Sequence, residues 1–108
     1  FIDLNRICLD PGIGFGKTHE ENLFILGNTE NFRVKNRAIL VGASRKRVIG
    51  MSCGNPEFER RMPGTIAAHS VSMISGADIV RVHDVAEAVQ ATKVIEKIIQ
   101  AKESKQNG

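Results

Sequence analysis

Hydrophobic positions along the chain predict an alternation of short strands and helices. Three segments, residues 6–10, 38–44 and 77–84, contain short apolar runs and end in polar residues. The first run is stopped by Pro11 and Gly12, which is typical of a strand buried on both faces of a parallel sheet. These three segments are therefore interpreted as strands.

The segments between and after the strands predict helices. Residues 18–28 follow the first strand, with Thr18 as a candidate N-cap. Residues 50–63, rich in Gly, Asn, Pro and charge, are expected to form a loop before a helix over residues 64–77. In that segment Ile66, Ser70, Met73 and Ala77 stand at helical spacing.

A third helix is predicted after the last strand. Asp84 and Glu87 stand three residues apart, as in a capping box, and the polar tail over residues 102–108 is expected to fray. An alternation of strands and helices with apolar strands indicates an α/β fold, with a parallel sheet and helices outside it. The expected apolar stripe of this helix consists of Val85, Ala88, Val89, Thr92, Ile95 and Ile99.

Composition narrows the class of protein. With 108 residues, 42% of them hydrophobic, the chain could hold one modest core or about a third to a half of an α/β barrel. The net charge of +3 is mild, and five Phe without Trp or Tyr give little stacking surface, so no nucleic-acid partner is expected. Because the chain opens at Phe1 without Met and enters strand-like sequence at once, it is interpreted as a C-terminal piece.

Cellular location is predicted from cysteine usage and hydropathy. Cys8 and Cys53 lack the spacing of a zinc site and are expected to be free thiols. No apolar run approaches the roughly 20 residues that span a bilayer, and no signal peptide opens the chain, so no membrane partner is expected. A cytoplasmic location is the resulting expectation.

The glycine-rich segment "DPGIGFGKT", residues 10–18, resembles a nucleotide-binding loop at first sight. A phosphate loop needs a glycine five residues before its Gly-Lys-Ser/Thr, and Pro11, which lacks an N–H, occupies that position. The dinucleotide pattern fails as well, because Lys17 stands where the third glycine belongs. The sequence therefore argues against a nucleotide site.

Polar residues follow each predicted strand. In parallel α/β proteins the carboxyl ends of the strands lie at one edge, where ligands bind, so one carboxylate, several cations and an imidazole are expected to converge. Such a set suits a polar, anionic small molecule, and the carboxylate could bind a pterin-like or guanine-like ring. These residues are Asp10, then Ser44, Arg45 and Lys46, then Arg81, His83 and Asp84.

Three motifs, "LDPGIGFGK", "LVGASRK" and "IVRVHD", occur in this order, each at a strand end. Together they resemble the C-terminal part of the dihydropteroate synthase family, from Arg6 to about Lys102. The resemblance implies that residues 1–108 are a C-terminal fragment of a pterin-binding (β/α)₈ barrel domain, with strands six, seven and eight and their helices.

The resemblance also implies an activity. Family members are transferases of folate biosynthesis that join 6-hydroxymethyl-7,8-dihydropterin pyrophosphate to p-aminobenzoate and release pyrophosphate with the help of Mg²⁺. The metal ligand is expected upstream of Phe1, and none is assigned within this chain. The complete protein is expected to be a homodimer and a target of sulfonamides, which mimic p-aminobenzoate.

The family motifs imply roles for individual residues. Asp10 and Lys46 would contact the pterin, and Arg81 and His83 would bind the departing pyrophosphate; these four form the expected catalytic set. If a delocalised pterin cation forms, Asp10 would stabilise it while the cations neutralise the leaving group. Gly42 would lie against the pterin. The positions expected near the p-aminobenzoate pocket are Phe15, Ser44, Arg45 and Arg47.

Two other functions remain open at this point. A pterin-dependent methyltransferase barrel shares the pterin carboxylate but would leave Arg81 and His83 unexplained, and a non-catalytic pterin-binding module would bind without releasing pyrophosphate.

Structural roles are also possible for single residues: Arg81 could pair with Asp84, and Asp78 could lie at the surface. His19 and His69 are assigned to helices and Cys8 to packing. The isolated chain is expected to be inactive, since two barrel edges would be exposed.

Overall fold

The computed structural model describes residues 6–107, and these form a parallel α/β unit as the sequence predicts. Strand β1 (Cys8–Leu9), strand β2 (Ala38–Val41) and strand β3 (Ile79–Val80) lie in the order β1-β2-β3, and both pairs are parallel. The carboxyl ends of all three strands therefore lie at one edge of the sheet.

Four α-helices connect or follow the strands within residues 6–107. Helix α1 begins as predicted, because Thr18 and Glu21 form a reciprocal capping box with backbone-to-side-chain distances of 3.1 and 2.8 Å. None of the helices within residues 6–107 has both the length and the apolarity needed to cross a membrane. The helices are α1 (His19–Gly27), α2 (Arg47–Ser52), α3 (Met62–Ile74) and α4 (Val85–Asn107).

One expectation about helix extent is wrong, and the fraying of the tail stays a prediction. The segment expected as a loop over residues 50–63 contains the end of α2 and a 3₁₀ helix at Phe58–Arg60, and a second 3₁₀ helix covers Thr29–Phe32. The tail expected to fray continues α4 to Asn107. Its Lys, Glu, Gln and Ala residues are good helix formers, so a polar composition does not end the helix.

The hydrophobic core lies on one side of β2, under α1 and α2. The strand expected to be buried on both faces is exposed at Cys8, because β1 is an edge strand within this unit, and the packing role expected for Cys8 is not observed. Ile79 in β3 is likewise exposed. The buried cluster consists of Ile13, Ile25, Leu26, Ile39, Val41, Ala43, Val48 and Ile49.

Helix α3 turns a polar face to the interior. Thr65, His69 and Ser72 are buried, whereas Ile66, Ser70 and Met73 in α3 and Ala77 beyond it are only half-buried. The hydroxyls of Ser72 and Thr29 hydrogen-bond at 2.8 Å, which satisfies both groups away from water. Specific hydrogen bonds, rather than hydrophobic periodicity, therefore set the rotation of α3.

Asp78 has a structural partner at the amino-terminal edge of the sheet. Its Oδ2 accepts hydrogen bonds from Ile39 N (2.9 Å) and from the Arg33 guanidinium (2.8 Å), although its side chain is 46% exposed. Arg33 also binds the Glu30 carboxylate and the Gly76 carbonyl. This network connects the end of α1 to both strands β2 and β3 and lies opposite the polar edge described below.

Candidate functional site

The carboxyl-terminal edge of the sheet carries an open pocket of about 310 Å³. Its walls come from the segments that follow β2 and β3, so residues that are 39 positions apart in sequence become neighbours. The pocket presents two cationic side chains, a hydroxyl and an imidazole. The lining residues are Gly42, Ser44, Lys46, Arg81, Val82 and His83.

Arg81 lies directly over Gly42. A Cβ atom placed on Gly42 would stand 3.3 Å from both Nε and Nη2 of Arg81, which is tighter than an ordinary van der Waals contact. Glycine at this position therefore lets the guanidinium settle on the backbone just beyond β2. The contact fixes where the positive charge of Arg81 is presented.

His83 is held by Ser44. The Ser44 hydroxyl lies 2.7 Å from His83 Nδ1 and accepts a hydrogen bond from the His83 backbone N–H at 3.1 Å. The hydroxyl therefore contacts both the ring and the backbone of His83 and fixes the position of this residue. Ser44 is only 5% exposed, so this anchor is protected from solvent.

Lys46 joins the pocket to the glycine-rich loop. Its Nζ donates a hydrogen bond to the Ile13 carbonyl at 2.9 Å and lies 5.0 Å from the centroid of the Phe15 ring. Burial lowers the pKa of Lys46, the positive charge of Arg81 lowers it further, and the Asp10 carboxylate opposes both effects. Lys46, Arg81 and Asp10 thus lie close enough to influence one another.

The glycine-rich loop is shaped by two side-chain acceptors. Asp10 Oδ1 accepts a hydrogen bond from Gly12 N at 2.8 Å, and the buried Asn22 accepts one from Gly14 N at 2.9 Å. Gly14 has a φ of +89°, a region that residues with a Cβ rarely adopt. Asn22 was not predicted as part of the site, although a buried polar residue in the first turns of a helix is a signal for such a role.

Arg45 and Arg47 lie outside the pocket that holds Arg81 and His83. Arg45 binds both oxygens of Asp84, at 2.8 and 3.2 Å, and its guanidinium lies 5.3 Å from the centroid of the Phe58 ring. Asp84 therefore pairs with Arg45. The alternative considered above, an ion pair between Arg81 and Asp84, is wrong. The hydrogen bond from Arg45 holds the pKa of Asp84 below its ordinary value of 3.8.

Arg47 faces a second pocket of about 310 Å³, beside the start of α1. Within residues 6–107 the structure thus places five of the nine expected substrate-binding residues in the first pocket, and connects Asp10 and Phe15 to it through Lys46. A role near p-aminobenzoate stays a prediction for Arg45 and Arg47. The second pocket is lined by Gly14, Lys17, His19, Asn22, Arg47, Val48 and Met51.

His69 contacts the backbone of the site, which the sequence did not predict. Its Nε2 accepts a hydrogen bond from Ala43 N at 3.0 Å, and the side chain is almost fully buried. Burial, with a smaller effect of Lys46, lowers the pKa of His69 to about 4. A lone histidine in an amphipathic helix gave no pattern that could reveal this contact.

Binding of a metal ion by side chains requires several ligands that lie close together. In the part of the chain that the structure describes, no three His, Cys, Asp or Glu side chains converge to hold an ion. The Asp10 carboxylate accepts a backbone hydrogen bond, and Asp84 is bound to Arg45. Both of these carboxylates are thus already engaged by hydrogen-bond donors of the chain.

Fold and site together define a class: a unit of parallel βα type with cationic and polar side chains at the carboxyl ends of its strands, the edge where such proteins bind ligands. The model of the pterin binding enzyme family matches residues 2–83, and the chain belongs to this family.

Individual relatives and solved structures carry a more specific name than the family does. The chain is 44% identical over 95 residues to dihydropteroate synthase of Clostridium beijerinckii, covering 87% of this chain and 35% of the relative. It is similar to crystal structures of Thermus thermophilus dihydropteroate synthase in complex with 4-aminobenzoate and with 6HMPPP, each with a TM-score of 0.80 and 39% identity. These matches cover 85% of this chain and 38% and 37% of the solved chains. The chain thus spans about a third of the length of the curated relatives it matches.

Proposed function

We propose that residues 1–108 form the C-terminal three βα units, strands six to eight with their helices, of a dihydropteroate synthase barrel. Three parallel strands in sequential order, each followed by a helix, are what consecutive barrel units require. The likeness to solved dihydropteroate synthases over about a third of their length supports this placement.

The observation that carries the proposed activity is the shared pocket of Lys46, Arg81 and His83. Two cationic side chains and an imidazole in one pocket suit a phosphate-bearing ligand. Asp10, coupled electrostatically to Lys46, supplies the carboxylate that a pterin ring can bind. The similar structures in complex with 6HMPPP and 4-aminobenzoate support a pterin pyrophosphate and p-aminobenzoate as the substrates.

In this proposal the residues of the chain act by electrostatic stabilisation. When the bond between the pterin methylene carbon and the pyrophosphate oxygen breaks, positive charge develops on the pterin and negative charge on the leaving group. Asp10 stabilises the positive charge on the pterin, and Arg81 and His83 stabilise the negative charge on the pyrophosphate. The amine of p-aminobenzoate then forms the new C–N bond and loses a proton. Mg²⁺, whose ligands we expect outside residues 1–108, would add positive charge at the leaving pyrophosphate.

A matched pair of histidine variants tests this assignment in the complete gene product that contains residues 1–108, called the complete protein below. His83→Ala is expected to weaken binding of the pterin pyrophosphate ester by roughly tenfold or more, since hydrogen bonds to charged groups contribute about 1.5–3 kcal/mol. Binding of the free pterin alcohol should change little. His19→Ala, in the second pocket, is the control. Equal losses for both ligands would instead favour the methyltransferase or the binding module.

The proposal extends to assembly. Strands β1 and β3 form the two edges of the sheet within residues 6–107, which therefore do not close into a barrel, and we expect no turnover from residues 1–108 alone. A homodimer of the complete protein is also part of the proposal. Sedimentation of the complete protein tests the dimer, and an assay of the isolated 108 residues tests the lack of turnover.

A further inference from the structure

Helix α3 holds the turn after β2 by two side chains that lie one helical turn apart. His69 Nε2 accepts the Ala43 N–H at 3.0 Å, and Thr65 Oγ1 accepts the Arg45 N–H at 2.9 Å. Both residues are 2% exposed, so neither contact competes with bulk water. Ala43 N would otherwise be a buried donor without a partner, which is costly.

The segment that His69 holds carries two of the contacts that shape the pocket. Gly42, just before Ala43, supports the Arg81 guanidinium, and Ser44, just after it, holds the His83 ring. The clearance above Gly42 is small, and the Ser44 to His83 distance is that of a strong hydrogen bond. A displacement of the Ala43 backbone by about 1 Å would therefore disturb both Arg81 and His83.

The imidazole can perform this role only in one protonation state. Because Nε2 accepts a hydrogen bond, it carries no proton, and in the neutral ring the proton must lie on Nδ1. Nδ1 is buried and has no hydrogen-bond partner among residues 6–107. Protonation of Nε2 would place two donors against each other, so the ring is required to stay neutral.

We propose that His69 is a positioning residue of the substrate pocket: its neutral imidazole fixes the backbone of residues 42–44 and, through it, the placement of Arg81 and His83. The effect on substrate rests on the proposed function, whereas the hydrogen bond to Ala43 does not. His69 touches no substrate in this account; it acts through the two residues that do.

The first test is spectroscopic and requires no substrate. Side-chain ¹⁵N chemical shifts of His69 in the complete protein are expected to show a neutral ring protonated at Nδ1. The Ala43 amide is expected to be protected from hydrogen exchange, and to lose protection in His69→Met. A ring protonated at Nε2, or an Ala43 amide whose exchange ignores the substitution, would overturn the proposal. Because the wild-type spectrum decides the tautomer, the test stands even if His69→Met fails to fold.

The second test separates positioning from stability. His69→Met keeps a similar volume and leaves only a weak sulfur acceptor, whereas His69→Gln keeps an acceptor oxygen at similar reach. His69→Met should lower kcat/KM for the pterin pyrophosphate by roughly tenfold to a hundredfold, the effect of misplacing binding groups, and His69→Gln should restore most of it.

Ser72→Ala is the control, because Ser72 is buried on the same helix and bonds Thr29, away from the pocket. A loss in His69→Met no greater than in Ser72→Ala, or no rescue by His69→Gln, would overturn the positioning role. If the wild-type protein releases no pyrophosphate, the proposed function fails, while the tautomer and the Ala43 exchange still decide whether His69 holds the segment.

Discussion

The Arg81 guanidinium rests on the open face of Gly42, 3.3 Å from where a Cβ would stand. Gly42→Ala should push the guanidinium away and weaken binding of the pterin pyrophosphate by roughly tenfold, since charge-assisted contacts of this kind contribute about 1.5–3 kcal/mol. Titration calorimetry on the complete protein measures the change. Gly27→Ala, where an added Cβ meets no atom within 4 Å, is the matched control. Unchanged affinity in Gly42→Ala would show that Arg81 is not placed by this contact.

Ser44→Ala should release the His83 ring. The substitution removes the acceptor for His83 N and the partner of Nδ1, so the ring loses its fixed orientation. We expect weaker binding of the pyrophosphate ester, by roughly fivefold to tenfold, with little effect on the free pterin. Ser70→Ala removes a hydroxyl that bonds only its own helix at Ile66 O and serves as control. Equal effects of the two substitutions on binding would contradict the assignment.

Arg45 and Asp84 are expected to stabilise the fold through their ion pair. Arg45 has a φ of +57°, and its bond to Asp84 helps to hold this unusual backbone. Arg45→Ala and Asp84→Asn should each lower the denaturation midpoint, and the double variant should lose less than the sum. Because the pKa of Asp84 is lowered in the folded protein, the ion pair stabilises the fold at pH values above 3.8. This stabilisation is lost as the pH falls below 3.8. A raised KM for p-aminobenzoate in Arg45→Ala at an unchanged midpoint would instead support a substrate contact.

Buried His69 predicts a loss of stability in mild acid. Its pKa is about 4 in the folded protein against an ordinary 6.5, so between these values the unfolded chain binds a proton that the folded chain does not. The free energy of unfolding should therefore fall as pH falls from 6.5 to 4, by about 2–3 kcal/mol. Urea denaturation of the wild type and of His69→Gln across this range measures it. Parallel pH profiles for the two proteins would contradict the prediction.

Local patterns predicted the order of elements well. The N-cap at Thr18 and the apolar run of β2 depend only on neighbouring residues, and the structure confirms both. Helix α2 was missed because its six residues lie beside a segment rich in glycine and charge. The buried face of α3 was missed because Thr65, His69 and Ser72 bond residues remote in sequence.

For the candidate site, the sequence predicted which residues come together but not how their side chains are directed. Topology alone places the ends of β1, β2 and β3 at one edge, so the convergence of Lys46, Arg81 and His83 follows from the order of elements. The direction of each charged side chain does not follow from the order of elements. Arg45 and Lys46 are adjacent in sequence, yet Arg45 turns to Asp84 while Lys46 turns to the Ile13 carbonyl.

Pyrophosphate release by the complete protein tests the central proposal most directly. The assay supplies 6-hydroxymethyl-7,8-dihydropterin pyrophosphate and Mg²⁺, with and without p-aminobenzoate, and compares wild type with Arg81→Ala. The account predicts release that depends on p-aminobenzoate and falls by roughly a hundredfold or more in the variant, as for removal of a group that stabilises developing charge. Binding of the pterin without any release of pyrophosphate would contradict the account and favour a methyltransferase or a binding module.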